Sequence, residues 1–262
     1  MKISLPDDHL RYPRDEFMPY LDWYRGKFAG VFVALHPFFK IEGIAPEDVD
    51  WGTHAFERAD IPASTDLLSE LERLSALRSY GKIAAEDVEA LIPHRAEVVT
   101  WEEIRQLSDL ATLGEVNRAL SAGIKALKRK FVDLEGLGRL ERACRDGGIF
   151  QPTEGRFQVL HRGLISGIFK QAASPNIIGE DISETRYVHE ELFGVEWDHS
   201  QRRLWASDES MLVVVDWDSF FTLICMSEDR LMTVDLSAFD GFWAEGSAGH
   251  HWWMPEAERN ML

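Results

Sequence analysis

The chain has 262 residues, 45% of them hydrophobic and 11% aromatic. That is apolar material enough for a substantial core, and it excludes a mostly disordered polypeptide. With 28 Lys and Arg against 45 Asp and Glu the formal charge is −17, so neither nucleic acid nor an anionic membrane surface is an expected partner.

In chain order, prolines 6, 13, 19, 37, 46 and 62 interrupt the first 63 residues, which read as an irregular, wrapping segment. Within it Phe28 to Leu35 reads as a buried strand stopped by His36-Pro37, and Phe17, Tyr20, Trp23 and Tyr24 are placed against the core. Residues 64–194 have mainly helical periodicity. Leu67, Leu71 and Leu74 form a stripe ended by Gly81. Ala96 to Val99 suggests a short strand, and Thr100-Trp101-Glu102-Glu103 is a capping box opening a helix. Apolar residues spaced by three or four predict a helix from Leu113 to Phe131, with Lys125 to Lys130 as its solvated basic face. Further helices are expected from Leu134 to Cys144, closed by Gly147-Gly148, and from Arg156 to Gln171. Ser183 reads as the cap of one more, ending at Gly194.

The last third turns to short β-type runs: Val195 to Trp197, Arg203 to Ala206, Met211 to Asp216 and Ser219 to Met226. Polar stretches of three or four residues separate them, which favours an antiparallel meander over parallel crossovers. The expected class is therefore α+β, with helical N-terminal and central parts packed on a C-terminal antiparallel sheet over 195–245, in one domain. Cys144 and Cys225 form no metal-type pair, no signal segment opens the chain, and the densest apolar runs are five residues long. These features predict a cytoplasmic protein with reduced thiols, away from membranes.

Complete catalytic motifs are missing. His189-Glu190-Glu191-Leu192-Phe193 begins like a zinc-protease helix but has a phenyl group where the second imidazole must stand. Gly136-Leu137-Gly138 lacks the third glycine and the preceding strand of a dinucleotide site, and Ser166 lacks a nucleophile elbow. No cofactor is expected. Asp216 and Asp218 would share a face if the backbone there were extended, and with His250 and His251 they could ligate a divalent metal and activate water. The competing reading of Asp216-Trp217-Asp218-Ser219 is turn chemistry, in which Asp side chains bond nearby amides. The binding candidates are Trp217, Asp216, Asp218 and Trp243, because an exposed indole beside carboxylates suits a cationic partner.

His36-Pro37-Phe38, Asp216 to Phe221 and Asp240-Gly241-Phe242-Trp243 together resemble an uncharacterised bacterial family of about this length, which implies no particular reaction. The late aromatic hairpins also resemble small immunity proteins that neutralise basic nuclease toxins. Two functions follow as expectations. One is a non-enzymatic binding module for a basic protein or peptide; the other is a metal-dependent hydrolase using Asp216, Asp218, His250 and His251.

Overall fold

The computed structural model describes residues 10–51, 69, 72–73, 75–76, 79–174, 176–189, 201–255 and 258. Its centre is a seven-stranded antiparallel sheet, and the class is α+β. Strands β1 (Gly30–Leu35), β6 (Ile177–Asp181), β7 (Arg186–His189), β8 (Gln201–Ala206), β9 (Met211–Val215), β10 (Phe221–Met226) and β11 (Gly241–Trp243) pair in the order β11-β1-β10-β9-β8-β6-β7. The sheet therefore reaches beyond the last third of the chain. β1, from the wrapping segment, inserts between β10 and β11, with Phe32 opposite both Ile224 and Trp243.

β1, β9 and β10 are buried at every position because both faces of the sheet are covered. Such strands read as continuous apolar runs instead of alternating ones. On one face Val31, Val33, Leu212, Leu223 and Cys225 pack under the helices α3 (Trp101–Leu107), α4 (Leu113–Gly123) and α5 (Leu134–Gly147). Tyr20 and Tyr24, from the four-residue helix α1 (Tyr20–Trp23) and its cap, are fully buried in the same layer. Phe17, placed with them by the sequence, is exposed. On the other face Phe32, Val213, Ile224 and Met226 pack under α6 (Val159–Gln171) and the segment containing Val234, Leu236 and Phe239.

Smaller pairings flank this sandwich. β2 (Phe38–Ile41) pairs with β5 (Ala96–Val99), and β3 (Val49–Asp50) with β4 (Ile83–Ala84), beside α2 (Ala85–Arg95). The capping box forms as expected: Glu103 N–H donates to Thr100 Oγ1 at 3.2 Å, and Thr100 N–H donates to Glu103 Oε2 at 2.7 Å. Those bonds hold the Glu103 carboxyl below the usual carboxylate range. A second acceptor, Asp240 Oδ2, takes the Trp101 N–H at 2.8 Å and ties this helix start to the residue before β11. Thr100→Ala should cost about 1 kcal/mol and lower the melting temperature by about 2–4 °C in a thermal scan.

Two expected elements differ. The helix beginning at Leu113 stops at Gly123, Lys125 takes a left-handed φ of 61°, and a 3-10 turn spans Arg129–Phe131. Leu127 and Phe131 keep the apolar spacing because they pack with Trp253 and Met254, in a separate cluster. The basic residues 125–130 consequently sit on a solvated turn, beyond the helix. Ser183 caps no helix; it lies in the turn between β6 and β7, where Asp181 Oδ1 accepts the N–H groups of Ser183 and Thr185 at 2.8 and 2.9 Å. The side chains of Leu67, Leu71 and Leu74, the run Val195 to Trp197, and Gly194 lie outside the described residues. Helical residues between the leucines (Ser69, Glu72, Arg73) and Ala76 after them are exposed, and Gly81 follows with a φ of 76°.

Candidate functional site

Register places the ends of four strands together. Leu35 faces Phe221, Val215 faces Thr222 and Ala34 faces Gly241, so Asp216, His36 and Asp240 all emerge at one end of the sheet. There the chain turns through Asp216-Trp217-Asp218-Ser219. Ser219 Oγ lies 3.1 Å from the Asp216 carbonyl and 3.0 Å from that of Phe221. This turn replaces the extended backbone on which two carboxylates would share a face. Gly155, at a φ of 62°, packs against it: its N–H donates to the Ser219 carbonyl at 3.0 Å, and a Cβ built there would lie 1.8 Å from the Trp217 carbonyl oxygen.

The turn separates its side chains. Asp216 is half-buried, and its Oδ2 stands 3.6 Å from His250 Nδ1. The same nitrogen is 3.0 Å from Tyr12 Oη, which is 2.8 Å from Tyr20 Oη. Burial pushes the Asp216 carboxyl above its usual range against the pull of His250, and lifts both tyrosines well above theirs. His251 faces elsewhere, with Nε2 3.3 Å from Glu16 Oε2 and its ring nearly perpendicular to that of His250. Asp218 is exposed. Trp217 is 64% exposed, and the Arg202 guanidinium lies 5.6 Å from its ring centre.

Of the four proposed metal ligands, then, the fold brings Asp216 and His250 together and directs His251 to Glu16. Among the described residues no group of three or more His, Cys, Asp or Glu side chains is arranged to hold a metal ion. The metal-hydrolase expectation rested on such a group and is not carried by this geometry. Tyr12 and Glu16 join the cluster without any signal of their own in the sequence; they arrive because the N-terminal segment crosses the C-terminal turn, where Tyr20 N–H donates to the Ala248 carbonyl. Trp243 is 42% exposed on β11, edge-on to Phe32, and makes no ring contact with Trp217.

A second pair of imidazoles lies inside. His36 Nδ1–H donates to the Thr153 carbonyl at 3.1 Å, which leaves Nε2 to accept from Thr222 Oγ1 at 3.0 Å. His161 stands edge-on to His36 and to Phe239, with its Nδ1 buried and unpartnered among the described residues. An open cleft of about 480 Å³ between Trp51, Cys144, Arg145 and Phe150 is lined by none of the candidate residues. Cys144 and Cys225 are buried free thiols, and no helix among the described residues is long and apolar enough to cross a membrane.

Residues 16–254 match the model of a family described as Protein of unknown function (DUF2711). No curated protein and no solved structure matches the chain.

Proposed function

We propose that this chain, which belongs to the DUF2711 family, is a cytoplasmic binding protein for a basic protein or peptide, docked on the Asp216–Asp218 turn. The observation that carries the reading is the exposed Trp217 indole, with the Arg202 guanidinium over its ring at 5.6 Å from the centre. An indole face attracts a cation through its quadrupole, and a second cation from a partner would meet the same ring beside carboxylates. Asp218 and Glu16 are exposed, and Asp216 is half-buried next to them. The net charge of −17 supplies the long-range attraction that steers a cationic partner to the surface.

Gly155 gives the turn a fixed backbone, so Trp217 is presented without a large ordering cost on binding. The reading requires no catalytic step. A short arginine-rich peptide titrated calorimetrically into the protein should bind, and the affinity should fall steeply between about 50 and 500 mM salt. Trp217→Ala should weaken it by about tenfold or more, as loss of a central aromatic anchor does. Binding that is indifferent to salt, or unaltered in both Trp217→Ala and Asp218→Asn, contradicts the assignment.

A further inference from the structure

We infer that the open edge of the main sheet at β11 is a strand-addition site for an extended basic segment. The inference rests on the cationic-partner reading above and assigns that partner a backbone docking mode. The hydrogen-bond phase of β1 settles which groups are open. Leu35 N–H donates to the Asp240 carbonyl and Ala244 N–H to the Val31 carbonyl. The bonded pairs between these strands are therefore 31 with 244, 33 with 242 and 35 with 240, and the intervening pairs carry no ladder bonds. Gly241 and Trp243, opposite Ala34 and Phe32, consequently turn their N–H and C=O groups away from β1. Among the described residues these peptide groups have no backbone partner on their outer side. They present two donors and two acceptors two residues apart, the spacing an added antiparallel strand requires.

Side chains beside this edge favour an occupant with alternating apolar and basic residues. The Trp243 ring meets Leu231 above Gly30, where a Cβ would lie 2.8 Å from Leu231 Cδ2 and 3.0 Å from Trp243 Cζ3. Leu231 ends α7 (Glu228–Leu231), so Leu231 and Trp243 together form a small apolar ledge beside the strand, and the exposed Met232 follows in sequence. Exposed carboxylates frame the ledge in sequence: Glu228 and Asp229 open α7, and Glu245 stands two residues beyond Trp243. A second copy of the chain is the disfavoured occupant, because two molecules of charge −17 repel one another.

The test uses the whole chain and a short peptide of alternating lysine and valine, with the same peptide N-methylated at every second residue as a control. Hydrogen exchange followed by mass spectrometry reads segment 240–244, and calorimetry reads affinity. The expected result is binding that slows exchange in that segment, is lost on N-methylation, and weakens by about tenfold or more in Trp243→Lys. Binding with unchanged exchange at 240–244 overturns the edge assignment and leaves the cationic-partner reading standing. No binding by either peptide overturns both. Sedimentation that shows a dimer abolished by Trp243→Lys also overturns the assignment, in favour of a second copy.

Discussion

Gly155→Ala should destabilise the protein by roughly 3 kcal/mol, from about 1–2 kcal/mol for a left-handed φ on a residue with a Cβ and about 1–3 kcal/mol for the overpacking. The two contributions are separable. Gly155 has a φ of 62° and its added Cβ would lie 1.8 Å from the Trp217 carbonyl oxygen, a backbone atom that no rotamer change can move. Gly26 has a φ of 81° with nothing within 4 Å of the same position, so Gly26→Ala carries the conformational penalty alone. Thermal scans should place Gly155→Ala about 6–12 °C below the parent, and Gly26→Ala about 2–8 °C below it. Equal shifts in the two variants would mean that the turn yields to Gly155→Ala. Because the obstruction is the carbonyl of Trp217 itself, the same variant should also displace that indole and weaken binding of the arginine-rich peptide.

Local chemistry was legible where the deciding partners lie within a few residues. The Thr100–Glu103 box, the Gly147-Gly148 stop and the apolar runs of β1 and β9 are of this kind. Ser183 shows where local reading becomes ambiguous. Asp181 bonds the amides of Ser183 and Thr185 in the way that opens a helix as readily as a hairpin, and the pairing of Ile178 with Val188 across the strands decides for the hairpin. The candidate site shows the same limit. Asp216 and His250 were recognisable as chemistry-bearing residues, but extended backbone was needed for Asp216 and Asp218 to act together, and the chain turns there instead. Tyr12 and Glu16 belong to the cluster only because strand β1 is drawn between β10 and β11, which brings the N-terminal segment across the C-terminal turn. Pairings between residues some two hundred positions apart leave no periodic trace in either segment.

Acidification between pH 7 and 4.5 should lower the unfolding free energy through two buried imidazoles, His161 alone contributing about 2–3 kcal/mol at about 1.4 kcal/mol per proton equivalent and pH unit. Burial holds His161 down at about 3, and burial with the adjacent His161 ring holds His36 well below the ordinary imidazole value. In the unfolded chain both titrate near 6.5. Below that value the unfolded state takes up protons that the folded state refuses, so stability is complete above about pH 6.5 and falls as pH drops toward 3. Asp216 acts in the opposite sense, because its carboxyl is raised and the folded state accepts its proton first. His161→Phe isolates the imidazole contribution. It keeps a ring beside Phe239, and it removes a buried nitrogen that has no partner, so at pH 7 the variant should be at least as stable as the parent. Its loss between pH 7 and 4.5 should be smaller than the parent's by about 2–3 kcal/mol, as urea unfolding midpoints across that range would show. An unchanged slope would place the acid sensitivity outside this pair.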